Sequence, residues 1–98
     1  MEKYNIELTD TFGGEANYSW VRRYSLLVPS IDPDTATTSV MADIRKRNSH
    51  ARMVIRKAKA LAGLTGIRCR KDSFGHDLLA LYPFGSCTVL FITYDGEA

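Results

Sequence analysis

Residues Ala51–Ala62, "ARMVIRKAKALA", decide the fold. Their apolar members Ala51, Val54, Ile55, Ala58, Leu61 and Ala62 recur at helical spacing. At roughly 100° per residue they fall in an arc about 120° wide, the stripe of a helix laid on a core. Met53 and Ala60 are expected to point away from that core. Arg52, Arg56 and Lys59 line one flank of the stripe and Lys57 the other. Gly63 follows where a helix end favours a left-handed residue. Upstream, Val40, Met41 and Ile44 predict a short helical turn or two. "RKRNSH" (45–50) has no apolar residue to bury. A break near Asn48 is therefore expected, with Ser49 as N-cap of the main helix.

Strands flank this helix on both sides. In "KYNIELT", Tyr4, Ile6 and Leu8 alternate with polar neighbours, the period of a half-buried strand. Gly13-Gly14 breaks it, and "NYSWVRRYSLLVP" resumes extended structure until Pro29. Trp20, Arg22, Tyr24, Leu26 and Val28 share one parity, and Trp20 is expected half in the core. "PSIDPDTATTS" reads as loop. After the helix, "GIRCRKD" alternates Ile67 and Cys69 against Arg68 and Arg70, and "SFGHD" turns around Gly75. "DLLALYP" and "CTVLFITY" are apolar at almost every position, the mark of strands at a sheet centre or covered on both faces. "PFGS" joins them in a tight turn. The expected fold is α+β, a two-layer sandwich ordered ββαβββ. One main helix packs on one face of a mainly antiparallel sheet.

At 98 residues the chain makes a single domain, residues 1–98. It has 45% hydrophobic and 24% charged residues, an ordinary globular balance. No apolar run reaches the roughly 18 residues of a membrane span, and "MEKYNIELTD" lacks the apolar region of a secretory signal. Cys69 and Cys87 fit no C-x-x-C pattern, so a reduced cytosolic protein with two buried thiols is expected.

Few residues invite catalysis. His76 and Asp77 are neighbours, and neighbours on a strand point apart, so neither orients the other. Cys69 would need a base, and period two turns Arg68 and Arg70 away from it. The spacing of Cys69, Cys87, His50 and His76 matches no zinc pattern. An enzyme built on Glu15, His76 and Asp77 is the weakest reading, and no cofactor or metal is expected. In the glycine loop, Glu15 can cap a backbone amide or pair with an arginine. Alternatively Glu15, Asn17 and Tyr18 form a recognition surface. No lysine-serine pair follows the glycines, so this is not a phosphate-binding P-loop.

Charge is the strongest signal. Ten bases and no acid lie between Arg45 and Lys71, while the rest of the chain holds three bases and all eleven acids. The window carries +10 and the remainder −8. Surface charges are ordinarily mixed in sign, so a one-sided window points to an anionic partner. Arg52, Arg56 and Lys59 form one row along the helix, a spacing that suits phosphates. Few aromatics lie near, which disfavours sequence-specific reading of single strands.

"LTDTFGGEANYSWVRRY" (8–24), "KALAGLTGIRCR" (59–70) and "DLLALYPFGSCTVLFITY" (77–94) resemble a group of small uncharacterised bacteriophage and mobile-element proteins. The likeness covers roughly Ile6–Val28 and Arg52–Tyr94, with "PDTATTSVMADIRKRNS" (33–49) as a variable insert. The resemblance implies a non-enzymatic inhibitor, in the manner of anti-CRISPR proteins, that binds a host protein or ribonucleoprotein complex. Arg45, Lys46, Arg47, Arg52, Arg56 and Lys59 are the expected contacts, with Glu15 and Asn17 secondary. The competing expectation is an accessory protein that binds DNA or RNA directly. No membrane partner is expected.

Overall fold

The structure, a computed structural model, describes residues 1–30, 40–74 and 78–97, and only the backbone of 40–46. The expected turn around Gly75, the His76–Asp77 pair and the loop over 31–39 lie outside the described residues.

Five strands and one helix follow the order ββαβββ: β1 (Glu2–Phe12), β2 (Glu15–Val28), α1 (Val40–Leu61), β3 (Cys69–Phe74), β4 (Leu78–Pro83) and β5 (Thr88–Glu97). The strands form one sheet ordered β2-β1-β5-β4-β3, with every neighbouring pair antiparallel. The connection through α1 therefore carries the chain from one edge strand, β2, to the other, β3.

Register assigns the faces, because directly opposed residues share one. Leu8 stands between Arg22 and Leu90, and Ile6 between Tyr24 and Ile92. Leu81 and Leu79 continue these rows into β4, and Lys71 and Ser73 into β3. This face meets the helix. Ile6, Leu8, Leu26, Val28, Leu81, Leu90 and Ile92 join Val54, Ala58 and Leu64 in one core. The other face carries Thr9, Ala80 and Val89, each fully buried. Part of its cover comes from β2: Tyr18 lies against Glu7 and Phe91 at a surface depression there. The near-continuous apolar character of β4 and β5 thus reflects two covered faces at the sheet's middle.

The helix departs from expectation at its start. It runs unbroken through Asn48 and Ser49 for 22 residues, so Ser49 is a mid-helix residue and not an N-cap. "RKRNSH" does have an inward-facing member. His50 Nε2 lies 2.9 Å from Glu2 Oε1 on β1, and both side chains are mostly buried. A polar pair here does the work that an apolar contact does elsewhere along the stripe. The stripe is rotated accordingly: Met53 packs on the core, while Ala51 is exposed and Leu61 is 40% exposed. At the far end Leu64 N–H donates to Lys59 C=O at 2.7 Å and Gly63 N–H to Ala60 C=O at 3.3 Å. With Gly63 at φ 75° this is a Schellman stop, and it buries Leu64.

Two further expectations change. Leu64–Ile67 is a turn, held by Ile67 N–H on Leu64 C=O, and Ile67 and Arg68 lie outside the sheet, so β3 starts at Cys69. Both cysteines are free, but Cys87 is exposed and Cys69 half-buried. The turn at Gly85 and the loss of strand after Val28 match the sequence reading.

Candidate anion-binding groove

The glycine loop resolves first. Phe12 pairs with Glu15, so Gly13-Gly14 is a two-residue hairpin connection. Both glycines have positive φ, 62° and 85°, the geometry that matches strand twist in such tight turns. Beyond the turn the ladder slips. Thr9 pairs with Val21 but Thr11 with Ala16, so Asn17–Trp20 stand opposite Asp10 alone. Tyr18 takes φ 54° within this bulge.

Asp10 and Thr9 hold the bulge together. Ser19 N–H donates to Asp10 Oδ1 at 3.0 Å, and Ser19 Oγ and Asn17 Nδ2 donate to Asp10 Oδ2 at 2.5 and 3.0 Å. These bonds, the Ser19 hydroxyl foremost, pull the Asp10 carboxyl down from 3.8 to about 2. Thr9 Oγ1 accepts from Tyr18 N–H and donates to Trp20 C=O. Partial desolvation, then a hydrogen bond to Glu7, pushes the Tyr18 hydroxyl up. Asp10 thus plays the part expected of Glu15. Among the described residues Glu15 makes no hydrogen bond or ion pair and stands exposed at the ribbon tip. Trp20 is 42% exposed, with Arg22 over its ring at 5.7 Å, so it is not seated half in the core. Trp20 is the last residue of the bulge and has no ladder partner, unlike Tyr24, Leu26 and Val28.

The basic residues gather elsewhere. α1 touches chiefly β2 and β5, and this offset leaves an open groove beside β3 and β4. Arg52, Arg56, Lys59 and Lys71 line a cavity of about 280 Å³ there. Ile55, Cys69 and Leu81 form its apolar floor, and Thr65 and Gly66 close one end. A second depression, about 370 Å³, continues from it along Ile55 and Lys71 toward Leu79, Ile92 and Tyr94. Among the described residues no acid lines either one.

Among the described residues, the cations of the basic window are largely unneutralised. Arg70 lies 3.6 Å from Asp72, with both side chains well exposed, and stacks over Tyr82 on the opposite sheet face at 4.5 Å. Arg47, Arg52, Arg56, Lys57, Lys59, Arg68 and Lys71 form no ion pair with a carboxylate of the described residues. Arg52 reaches Ser49 Oγ at 3.4 Å, and Lys59 Nζ donates to Ile67 C=O. That second bond ties the helix end to the turn before β3 and presents Lys59 toward the groove.

Of the sequence-derived candidates, then, Arg52, Arg56 and Lys59 share one site. Arg47 is exposed on the same helix but does not line the groove. The side chains of Arg45 and Lys46 lie outside the described residues. Glu15 and Asn17 belong to the ribbon, and Asn17 is engaged with Asp10. Lys71 was not singled out as a contact, although it sits in the basic window. Its alternation with Arg70 signalled an inward-facing cation, but only the offset of the helix shows what it faces. Among the described residues no group of three or more His, Cys, Asp or Glu could hold a metal ion, and no helix is long and apolar enough to cross a membrane. No protein-family model, curated protein or solved structure matches the chain.

Proposed function

We propose that the protein is a non-enzymatic binding protein of phage or mobile-element type. It engages an anionic macromolecule, or the nucleic-acid-handling host protein or ribonucleoprotein complex that holds one, and inhibits by binding and blocking it. The observation that carries this reading is the groove in which Arg52, Arg56, Lys59 and Lys71 converge with no acid of the described residues among them. Concentrating like charge costs stability through self-repulsion, and a partner's negative charge offsets that cost. Arg45, Lys46 and Arg47 lie upstream on the same helix and extend the interaction along it.

A second reading rests on spacing. Arg52, Arg56 and Lys59 sit at i, i+4 and i+7, about 6 and 10 Å apart along the axis, a separation that suits successive phosphates of DNA or RNA. Affinity capture from a host lysate and a gel shift with random duplex DNA separate the two. The inhibitor captures a defined host protein, loses it when Arg52, Arg56 and Lys59 are changed to Glu, and leaves naked duplex unshifted at physiological salt. A direct nucleic-acid binder shifts the duplex without any host protein. Undiminished capture by the triple variant, with no duplex shift, would contradict both.

A further inference from the structure

We propose that the free edge of β3, roofed by the Arg52–Lys59 flank of α1, takes an extended acidic segment of the partner protein as a sixth strand. This rests on the reading that the basic row meets an anionic protein, and it names the form in which that partner is read.

Three observations converge on this edge. First, β3 ends the sheet order, with β4 as its one strand neighbour, so its outer backbone groups meet no strand among the described residues. An edge of this kind templates another chain by main-chain hydrogen bonding. Second, the edge is not an apolar one. Arg70 is offset by its neighbour Asp72, but Lys71 and the helix flank leave the helix side of the edge cationic, which repels a second copy of the same edge and selects an acidic strand. Third, the two sides of the edge differ. On the helix side β3 presents Cys69 and Lys71, in one groove with Arg52, Arg56 and Lys59, and then Ser73. On the other side it presents Arg70, Asp72 and Phe74, with Phe74 53% exposed and Arg70 placed over the Tyr82 ring and 3.6 Å from Asp72.

A strand added here alternates its side chains between these sides. Acidic residues turned toward the helix meet Arg52, Arg56, Lys59 and Lys71. Apolar residues turned away cover Phe74 and the stem of Arg70. The groove floor of Ile55 and Leu81 lowers the local dielectric and strengthens the ion pairs. The recognised pattern is therefore acidic–apolar alternation in an extended chain, not net negative charge alone. Arginine favours the same arrangement, since its fork grips a carboxylate at two points.

The test uses the intact protein and three probes. One is a capped octapeptide alternating glutamate with leucine or threonine. The second has the same composition with its glutamates clustered, and the third is random duplex DNA. The alternating peptide should bind at least tenfold more tightly than the clustered one. Binding should slow hydrogen exchange at the amides of Cys69–Phe74, because strand addition closes hydrogen bonds there. Arg56→Glu and Lys71→Gln should each weaken it several-fold, with unchanged circular dichroism showing that both variants fold. Equal binding of the two peptides, or binding that leaves exchange over 69–74 unaltered, overturns the proposal. If DNA alone binds, through the same cations, the strand-addition idea fails while the basic row keeps its role. If no probe binds the wild type, strand addition fails here too, and lysate capture by wild type and triple variant then judges the broader reading by itself.

Discussion

Asp10 shows how much one side chain can organise. It faces a four-residue bulge and accepts three hydrogen bonds from two of its residues. A carboxylate so supplied with donors holds its ionised form. Its folded value, about 2, lies below its ordinary value of 3.8. The sign follows: the stabilisation is complete above about pH 4 and is lost as pH falls toward 2. The Ser19 amide resonance should therefore titrate with a midpoint near 2, and an Asp10→Asn variant should abolish that titration. A midpoint near 4 would mean that the Ser19 and Asn17 bonds do not form in solution. Tyr18, held at positive φ beside this carboxylate, covers part of the sheet's second face. The same few contacts therefore shape the ribbon and shield the strands beneath it.

Among the elements, α1 is where local preference and tertiary context disagree. Ser49 has the chemistry of an N-cap, yet it lies mid-helix. What keeps the helix whole past "RKRNSH" is the contact between His50 and Glu2, which joins helix to sheet. Two substitutions separate these roles. Ser49→Ala should change stability by no more than about 0.5 kcal/mol, because a mid-helix serine caps nothing, whereas loss of a true cap costs about 1 kcal/mol. His50→Ala should cost about 1–2 kcal/mol through the lost bond to a carboxylate, seen as a fall of several degrees in the thermal midpoint. The opposite ranking in chemical denaturation would restore Ser49 as a cap. Glu2 also accepts from the Tyr4 hydroxyl at 2.6 Å. Burial, with this acid second, pushes the Tyr4 hydroxyl well above its ordinary range. The start of β1 is thus anchored by polar contacts as well as apolar ones.

For the molecule as a whole, the long β1–β2 ribbon sets the shape and the offset helix sets the charge pattern. A 14-residue strand extends roughly 46 Å at 3.3 Å per residue, close to the 47 Å longest dimension. The ribbon's half-buried carboxylates Glu7 and Asp10 belong to β1, whereas the groove cations belong to α1 and β3. An anionic partner approaching the groove is attracted there and repelled by the ribbon. Affinity for such a partner should fall steeply between low and moderate salt. If the partner is nucleic acid, removing one groove cation should lower the salt slope by about one. Equal affinity at about 50 and 300 mM salt, measured by fluorescence anisotropy, would show that charge does not carry binding.

Much of this molecule was legible because its elements are locally self-consistent. Period-two alternation placed β1, helical periodicity and Gly63 placed the end of α1, and short connections implied antiparallel pairing. The basic row was equally legible, since i, i+4 and i+7 fall together on any helix. The misplacements share one cause, a side chain whose partner is distant in sequence. His50 finds Glu2 across 48 positions, so a stretch without apolar residues still packs. Trp20 stands 42% exposed at the end of a four-residue bulge opposite Asp10, and the glycine pair gave no sign of that slip. By itself the sequence determined the elements, their order, the α+β class and the segregation of charge along the chain, because these follow from local periodicity and composition. Only the tertiary structure decided that α1 leans toward β2 and β5. Helix placement depends on side chains meeting across the sheet, and this one opens the groove where Lys71 joins Arg52, Arg56 and Lys59.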